Sequence, residues 1–450
     1  MRKDQLRSFG VLDARVPRYT SYPPATAFKP DVGAEFQESC LRDLNPDEPV
    51  SIYVHIPFCE RLCWFCACHT QGTKTLGPVE SYMQSVRAEL RLLREALPDG
   101  VRMGRLHWGG GTPTILPPDL IHQLATDIMQ AIPPADPFDF AVEIDPTYVD
   151  NDKIEALAHK GMTRASIGIQ DFSVAVQDAI GRHQSFEKTE PCVAMLRAAG
   201  IGSLNTDLVY GLPLQTPEMI DTSISKILQL RPDRVALFGY AHVPHLAKRQ
   251  RLIDEDQLPG DLARHTLSEL ARKKLMNAGF ETIGIDHFSR TDDALAKAKR
   301  AGTLRRNFQG YTDDTCQTLI GIGASAISRF SGGYVQNASA TPAYKDRIDA
   351  GLLAGHRGHL HSGEDLLRGR AIEMIMCDYE IDLVELRDTF GDQAESLSHD
   401  HSTVRRRFQG FVSHDQDRIQ IAPAGRLLAR LIANVYDRSH ARTAIYSKVS

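Results

Sequence analysis

The sequence predicts an α/β fold built on a parallel sheet, and two observations carry the prediction. Short β-branched or aromatic runs end in turn residues. Between them lie stretches whose apolar residues recur at every third or fourth position, as in amphipathic helices. Strands and helices alternating at this spacing form βαβ units. The periodicity does not distinguish a doubly wound open sheet from a closed or partial barrel. Both architectures place ligands at the carboxyl ends of the strands.

The individual elements follow from these patterns. The first strand is predicted at SIYVHI, residues 51–56. Further strands are expected at 105–108, 141–144, 165–169, 204–210, 234–240 and, as a seventh, 281–285. Helices are expected at 79–97, 119–131, 217–230 and 262–278. After Thr312 the alternation stops, and helices are predicted at 364–377 and 383–390, followed by a short hairpin that runs into a helix within 410–431.

Length and charge limit the classes of protein. The chain of 450 residues is long enough for two or three domains. It carries 52 Lys and Arg against 57 Asp and Glu, a net charge of −5, so the overall basic charge of a nucleic-acid-binding protein is missing and no nucleic-acid partner is expected. No secretory signal and no apolar run of about 18 residues is present, so we expect a cytoplasmic protein without a membrane span.

Four of the eight cysteines stand within ten residues. Cys59, Cys63, Cys66 and Cys68 have the spacing C-x3-C-x2-C-x-C, with Phe65 before the third. A structural zinc site usually takes two separated pairs of ligands, and no second pair exists here. A larger iron–sulfur cluster accepts thiolates from one short loop, so it is favoured over zinc. The other cysteines are interpreted as small buried residues, and these are Cys40, Cys192, Cys316 and Cys377.

Polar and glycine-rich segments follow the predicted strands. The four-cysteine loop follows the first strand, and GGGTP follows the second. Glu143 and Asp145 end the third strand, Gln170 ends the fourth, and Asp207 is placed at the end of the fifth. Because the carboxyl ends of parallel strands meet at one edge of a sheet, we expect these residues to form one site.

Longer motifs resemble a known family. C-x3-C-x-F-C followed by GGGTP resembles the radical S-adenosylmethionine (SAM) superfamily. A closer resemblance, to the oxygen-independent coproporphyrinogen III oxidases (dehydrogenases), extends over nearly the whole chain. The segments that carry it are RYTSYP (18–23), YVHIPFC (53–59), LHWGGGTPT (106–114), SIGIQDF (166–172), DLVYGLP (207–213), DHF (286–288), RNFQGYT (306–312) and GIGASAIS (321–328).

The resemblance implies a partial (β/α)6 radical SAM barrel with an N-terminal segment and a smaller, mainly helical C-terminal domain. The domains are expected at 1–48, covering the substrate, at 49–312, the barrel with extensions, and at 313–450, specific to the family. The implied reaction converts two propionates of coproporphyrinogen III to vinyl groups, giving protoporphyrinogen IX without oxygen in heme biosynthesis. The alternative is a heme chaperone of the same superfamily without decarboxylase activity. Cys68 and RYTSYP argue against the chaperone because they are typical of the enzyme.

The resemblance also implies cofactors, site residues and partners. Cys59, Cys63 and Cys66 would hold a [4Fe–4S] cluster and, with Tyr53, form the catalytic set. Two SAM molecules are expected, and the residues matching cofactor positions are Tyr53, Phe65, Cys68, Gly110, Gly111, Thr112, Glu143, Gln170, Arg182, Asp207, Ala241, Gln309 and Ile327. Substrate candidates are Arg18, Tyr19, Tyr22, Arg305 and Arg306. A low-potential electron donor such as flavodoxin or ferredoxin is the expected protein partner, and a monomer is expected.

Overall fold

The structure is a computed structural model that describes residues 3–12 and 14–439. Contacts within the chain divide it into two units, which are described separately. The larger unit comprises Lys29–Pro259 and Cys316–Leu360. The smaller unit comprises the described residues of Met1–Phe28, Gly260–Thr315 and His361–Ser450. The predicted domain boundaries at 48/49 and 312/313 stay a prediction.

The strands are numbered in chain order. They are β1 (Val50–Ile56), β2 (Phe58–Cys59), β3 (Gln71–Gly72), β4 (Met103–Gly110), β5 (Pro134–Ile144), β6 (Arg164–Gln170), β7 (Ser203–Tyr210), β8 (Arg234–Gly239), β9 (Phe280–Ile283), β10 (His287–Arg290), β11 (Arg305–Asn307), β12 (Gly310–Thr312), β13 (Leu319–Ile322), β14 (Ile327–Phe330), β15 (Gly333–Asn337), β16 (Gly355–Leu360), β17 (Glu380–Asp382), β18 (Val412–His414) and β19 (Arg418–Ile421).

The α-helices are numbered in the same way. They are α1 (Lys3–Ser8), α2 (Ala34–Arg42), α3 (Gly77–Ala96), α4 (Pro118–Ala131), α5 (Asn151–His159), α6 (Val174–Ala179), α7 (Phe186–Ala198), α8 (Pro217–Gln229), α9 (Asp261–Asn277), α10 (Ala294–Arg300), α11 (Thr341–Asp349), α12 (Asp365–Asp378), α13 (Leu383–Phe390), α14 (Ser398–Arg407) and α15 (Ala429–Tyr436). No helix among the described residues is both long and apolar enough to span a membrane.

A parallel sheet forms the centre of the larger unit. The strands β1, β4, β5, β6, β7 and β8 are neighbours in that order, and every pair among them is parallel. Helices follow the first five of these strands within the unit, which is the arrangement of a partial (β/α)6 barrel. The six strands predicted from apolar runs are therefore confirmed, as is the α/β class.

The two faces of this sheet differ in chemistry. One face is apolar and fully buried, as at Val54, Trp108 and Ile167, and Trp108 packs edge-on against Phe140 with ring centroids 5.1 Å apart. The opposite face carries partly buried polar residues at alternate positions, clearest in β6 and β7. Because side chains alternate along a strand, apolar and polar residues of the same strand point to opposite faces. The polar face is the one available to a ligand.

Strands after residue 313 extend this sheet beyond β1. The strand β13 pairs parallel with β1, and β14, β15 and β16 continue from it in antiparallel pairs. The strand–helix alternation thus stops after Thr312 as the sequence predicts, but these four strands are not among the predicted elements. These strands have only four to six residues, too few to give a local signal, and they form because β1 offers an edge.

The smaller unit contains short sheets and helices. The predicted seventh strand forms as β9, but it pairs antiparallel with β10 in a hairpin rather than joining a parallel series. The predicted helices of the last third form as α12 and α13, and the hairpin forms as β18 and β19. N-terminal residues belong to this unit's apolar core, since Tyr19 and Tyr22 lie in one buried cluster with residues of α12 and α15.

Candidate functional site

The four cysteines lie on the segment between β1 and α3. Cys59 ends β2, which pairs parallel with β3, so the segment closes into a loop. The Trp64 backbone N–H donates to the Ile180 carbonyl at 2.9 Å. The Trp64 ring occupies the space beside Gly181, where an added Cβ would lie 2.7 Å from the ring. The loop is thus fixed to the segment that follows α6.

The thiols of the loop differ in their affinity for protons. A hydrogen bond from the Cys68 thiol lowers the pKa of Cys66 to about 6, helped by the Cys68 backbone N–H and by the charges of Arg249 and Arg182. The pKa of Cys68 rises correspondingly, because its proton is held against Cys66. Burial raises the pKa of Cys59 to about 11. Cys66 therefore favours the thiolate more than Cys59 and Cys68 do, and Cys68 is its hydrogen-bond donor.

Arg182 reaches the loop from the turn after α6. Its Nη1 donates to Cys63 Sγ at 3.3 Å and lies 3.4 Å from Asp145 Oδ2. Its Nη2 donates to Gln184 Oε1 at 2.8 Å and to the Gly168 carbonyl at 2.5 Å. Asp145 raises the pKa of this guanidinium further, although burial opposes the charge. A fixed cation thus faces a cysteine sulfur at the carboxyl ends of β5 and β6.

The glycine-rich segment after β4 packs against the start of the cysteine loop. The Gly111 backbone N–H donates to the Ile56 carbonyl at 2.9 Å, and the Thr112 N–H donates to the Phe58 carbonyl at 2.8 Å. A Cβ at Gly111 would collide with the Phe58 carbonyl oxygen. The missing Cβ at Gly111 therefore allows the protein's own backbone to approach closely.

Glu143 lies beside the same segment. The Gly110 N–H donates to Glu143 Oε2 at 3.0 Å, and His107 Nε2 lies 3.5 Å from Glu143 Oε1. A Cβ at Gly109 would lie 2.7 Å from that carboxylate oxygen. The carboxylate is thus held near the end of β5 by the carboxyl end of β4, and it lies at the polar face.

Tyr53 belongs to a chain of hydrogen bonds on β1. Its hydroxyl lies 3.1 Å from His55 Nδ1, and His55 Nε2 lies 3.1 Å from the His69 carbonyl. A carbonyl only accepts, so His55 carries its proton on Nε2 and accepts from Tyr53 on Nδ1. Burial raises the pKa of Tyr53 well above its usual value, which keeps the phenol protonated.

Asp207 lies within β7 rather than at its end. The strand continues to Tyr210, and Asp207 pairs in register with Gly168 and Ala236. Asn205 Nδ2 donates to Asp207 Oδ1 at 2.8 Å and to Ser166 Oγ at 2.8 Å. The expected position of Asp207 at the strand end is therefore corrected, since the apolar residues after it keep the strand paired.

Sequence reasoning missed several polar residues of this face. They are His55, His107, Ser166, Asn205 and the loop residues Arg249 and Gln250. His55 and Asn205 stand two residues from the predicted site residues Tyr53 and Asp207, which is the spacing of side chains on one face of a strand. Ser166 stands four residues from Gln170, which is twice that spacing. The alternation of polar and apolar residues in RLHWG and SLNTD was the signal that could have found them.

The remaining predicted cofactor residues divide between the units. Gln170 ends β6 with a left-handed φ of 71°, Ala241 follows β8, and Ile327 begins β14. These three belong to the larger unit, with the cysteine loop. Gln309 belongs to the smaller unit, where it is exposed in the turn between β11 and β12.

The predicted substrate residues all belong to the smaller unit. The Tyr19 hydroxyl lies 3.0 Å from Asn434 Oδ1, and the Tyr22 hydroxyl accepts from the Arg438 backbone N–H at 3.0 Å. Arg305 Nη1 donates to the Leu304 carbonyl at 3.1 Å. Arg306 is buried, and its guanidinium carbon lies 4.3 Å from the centre of the Tyr311 ring. The charge of Arg306 is the main influence that holds the pKa of Asp286 far below its usual range against burial.

The larger unit's site fits a cluster and a polar cofactor. One loop supplies three cysteines, one of which favours the thiolate form, and the guanidinium of Arg182 faces them. Asn205 Oδ1 and Arg182 Nε are buried without a hydrogen-bond partner among the described residues. Buried polar atoms usually have a partner, so this face suits a polar ligand. No three His, Cys, Asp or Glu residues of the described chain form a site for a single metal ion, and a cluster spreads its ligands over several irons.

Comparison with known proteins agrees with these observations. Residues 53–227 match the model of the radical SAM superfamily. The chain is 57% identical over 446 residues to the oxygen-independent coproporphyrinogen III oxidase of Cereibacter sphaeroides, covering 99% of each chain. It is 50% identical over 435 residues to the enzyme of the same name from Paracoccus denitrificans, covering 97% of this chain and 96% of that one.

A solved structure extends the agreement to the fold. The coproporphyrinogen III oxidase of Escherichia coli, described as a radical SAM enzyme, superposes with a TM-score of 0.90 at 33% identity. The match covers 94% of this chain and 100% of that one. The predicted α/β barrel with a smaller, mainly helical part is thereby confirmed, and so is the resemblance drawn from the motifs. The chain belongs to the oxygen-independent coproporphyrinogen III oxidases, a family of radical SAM enzymes.

Proposed function

We propose that this chain carries out the reaction of its family with the residues described above. Two propionate side chains of coproporphyrinogen III are converted to vinyl groups, giving protoporphyrinogen IX and two molecules of carbon dioxide. Each propionate also loses one hydrogen atom, which the 5′-deoxyadenosyl group of SAM takes up, and one electron, which passes to a one-electron acceptor. Each conversion removes a hydrogen from an unactivated carbon, which no side-chain base can do. When bound, the [4Fe–4S] cluster and SAM supply the radical chemistry for this step. The 57% identity across 99% of the chain is the observation that carries the proposal.

We assign Cys59, Cys63 and Cys66 as the ligands of the cluster. Their spacing supports the assignment, and so does the hydrogen bond that leaves the proton on Cys68 and the negative charge on Cys66. Cys68 is then a thiol beside the cluster rather than a ligand. Arg182, at 3.3 Å from Cys63 Sγ, supplies positive charge beside a set of thiolates.

The polar face of the parallel sheet is the proposed SAM site. Glu143 and Asp207 offer carboxylates suited to ribose hydroxyls, and Tyr53 offers a hydroxyl that stays protonated. The neutral or apolar residues proposed to line the same site are Phe65, Gly110, Gly111, Thr112, Gln170, Ala241 and Ile327. Gln309 remains a proposed cofactor residue from the resemblance. Two bound SAM molecules are proposed because this set is large for one.

The propionates need cations, and arginine is the preferred partner because its guanidinium binds a carboxylate through two hydrogen bonds. We propose Arg18, Arg305 and Arg306, with Tyr19 and Tyr22 contributing to the same region. Arg306 supports this best, since its Nε and Nη1 are buried without a hydrogen-bond partner among residues 3–12 and 14–439. A buried, incompletely paired guanidinium favours an anion.

The remaining partners follow from the chemistry. A one-electron donor of low potential, such as flavodoxin or ferredoxin, is the proposed protein partner, and the chain is proposed to act as a monomer. The proposed domain roles are a substrate-covering segment at 1–48, a barrel at 49–312 and a family-specific domain at 313–450. All eight cysteines are free, which suits the reducing conditions of the cytoplasm.

Anaerobic turnover tests the proposed reaction. Reconstituted protein is incubated with coproporphyrinogen III, SAM and a low-potential reductant, and we expect protoporphyrinogen IX, carbon dioxide and consumption of SAM. Cys59→Ser serves as the inactive control. Cleavage of SAM without protoporphyrinogen would overturn the proposal. Stable binding of added heme in a titration, without decarboxylation, would favour the chaperone instead.

A further inference from the structure

The cysteine loop is fastened to the chain that follows β8 by one buried amide. Gln250 is only 1% exposed and lies in the 3-10 helix Lys248–Leu252. Its Nε2 donates to the Phe65 carbonyl at 2.8 Å and to the Ala241 carbonyl at 3.1 Å. Its Oε1 accepts from the Val243 N–H at 2.6 Å. The side chain therefore uses both amide hydrogens and its oxygen to join two separate segments.

The two segments that Gln250 joins each carry a residue that is proposed to contact SAM. Phe65 and Ala241 both match cofactor positions of the family, yet they are 176 residues apart in the chain. Neither is held to the other by a regular strand or helix, because each lies in a loop. An amide that donates to both carbonyls sets the distance between them. Gln250 itself matches none of the positions that the resemblance assigns to a ligand.

Neighbouring contacts make the 3-10 helix a fixed support. Arg249 Nη2 donates to the Cys68 carbonyl at 3.2 Å and to Thr70 Oγ1 at 2.9 Å. On the other side, His242 lies 2.8 Å from the Tyr240 hydroxyl and 2.9 Å from Glu255 Oε1. These contacts hold both ends of the segment that carries Gln250. Its buried amide is therefore positioned by the fold and in turn positions the loop.

We propose that Gln250 is a positioning residue for the SAM site: it sets Phe65 against Ala241 so that both contact the same cofactor. The inference rests on the proposed assignment of these two residues to SAM. Loss of the amide should leave the three cysteines and their loop in place, because β2, β3 and Arg182 still hold it. Affinity for SAM should fall, since an unsupported Phe65 has to be ordered when the cofactor binds.

Gln250→Leu tests the proposal in the anaerobically reconstituted full chain. Equilibrium dialysis with SAM alone should give a dissociation constant at least tenfold higher than that of the unchanged protein. The iron content and the visible absorption should stay the same. In turnover, KM for SAM should rise more than kcat falls. Gln250→Glu should behave similarly, because a carboxylate has no hydrogen to donate to the two carbonyls.

A matched control separates positioning from general loss of packing. Gln37 is also a buried amide of the larger unit, and its Oε1 accepts from the Gly355 N–H at 2.9 Å. Gln37→Leu should lower the melting temperature without changing the affinity for SAM. Equal affinities in Gln250→Leu and the unchanged protein would overturn the inference, as would equal weakening in both leucine variants.

One further variant distinguishes this inference from the site assignment beneath it. Phe65→Ala should weaken SAM binding if Phe65 contacts the cofactor. If Phe65→Ala binds SAM normally, the assignment of Phe65 fails and the role of Gln250 fails with it. If Phe65→Ala weakens binding while Gln250→Leu does not, only the positioning role is overturned.

Discussion

At the scale of single residues, the cysteine loop divides its four thiols into two kinds. Cys66 accepts hydrogen bonds from Cys68 and favours the thiolate, whereas Cys68 keeps its proton. A serine at position 68 keeps a hydroxyl donor close to Cys66. A serine at position 59 removes a sulfur that the spacing assigns to iron. The two substitutions are chemically alike and should differ in their effect on the cluster.

We therefore expect Cys68→Ser to assemble a cluster with about four irons per chain, as the cubane requires. Cys59→Ser should lose the cluster and its brown colour. Iron analysis together with the visible spectrum after anaerobic reconstitution measures both. Loss of the cluster in Cys68→Ser would reverse the ligand assignment.

A second residue-scale feature is the buried carboxyl of Glu89. It accepts from the Gly323 N–H and the Tyr344 hydroxyl at 2.7 Å each, and from Asn337 Nδ2 at 2.8 Å. Burial still raises the pKa of Glu89 to about 7 from its usual 4.5. Between these two values the folded protein binds more protons than the unfolded chain. Stability from this group is complete below pH 4.5 and declines as the pH rises towards 7.

We expect the stability of the Glu89→Gln variant not to decline over this pH range. In the unchanged protein the rise in the pKa of Glu89 corresponds to a decline of up to about 3 kcal/mol in the free energy of unfolding. The variant should also be less stable at pH 5 by about 1–3 kcal/mol, because the amide NH2 replaces a carboxyl oxygen and cannot accept a hydrogen bond. Denaturant unfolding at pH 5 and pH 8 measures both effects. Glu80→Gln, at an exposed position of α3, should keep the normal pH dependence. An unchanged slope in Glu89→Gln would contradict the explanation.

At the scale of elements, the cysteine loop depends on the turn after α6. Gly181 has a φ of 64°. A Cβ added at this position would lie 2.7 Å from the Trp64 ring, which is too close. Any other residue at this position is destabilised both by the left-handed backbone and by a collision with the ring. Gly200 has a φ of 84°, and a Cβ added there would have no atom within 4 Å. A substitution at Gly200 therefore strains the backbone but causes no collision.

We expect Gly181→Ala to destabilise the protein by more than Gly200→Ala, whose cost for a left-handed residue is about 1 kcal/mol. Gly181→Ala should also take up less iron, because a displaced Trp64 disturbs the loop between Cys63 and Cys66. Thermal unfolding and iron content provide the comparison. Equal effects of the two substitutions would show that Trp64 does not transmit the change.

The elements also show how far the sequence predicts this fold. The six parallel strands were predictable because their apolar runs are long and each is followed by a helix. The strands β13 to β16 were not predictable, because they are short and only β13 pairs with β1, far away in the sequence, so no local pattern marks them. In the site, the cysteines and Glu143 were recognisable by type and spacing. Gln250 was not, because a glutamine in a loop has no pattern that distinguishes a buried amide from a solvated one.

At the scale of the whole molecule, the cluster is an addition to a fold that already has its core. The buried apolar residues of the larger unit lie in the sheet and in helices such as α3 and α4. The cysteine loop contributes few of them. Small metal-binding domains, by contrast, unfold when the metal is removed, because the ligands hold the chain together.

We expect the metal-free protein to keep its secondary structure and a cooperative unfolding transition. Far-ultraviolet circular dichroism before and after removal of iron by a chelator measures this directly. The visible absorption should disappear while the circular dichroism stays the same. Unfolding on removal of the metal would instead support a structural metal site and a different reading of the cysteines.

The pairing of β13 with β1 has a consequence for synthesis of the protein. The order of β1, β4, β5, β6, β7 and β8 in the sheet follows their order in the chain, so each new strand meets its neighbour as it is made. The other edge of β1 pairs with β13, which begins at Leu319, 263 residues after Ile56. This edge therefore stays unpaired until β13 has been synthesised. At about 5–20 residues per second this interval lasts roughly 13–50 s. During that time the free edge of β1 presents unpaired backbone N–H and C=O groups, which can pair with a strand of another chain.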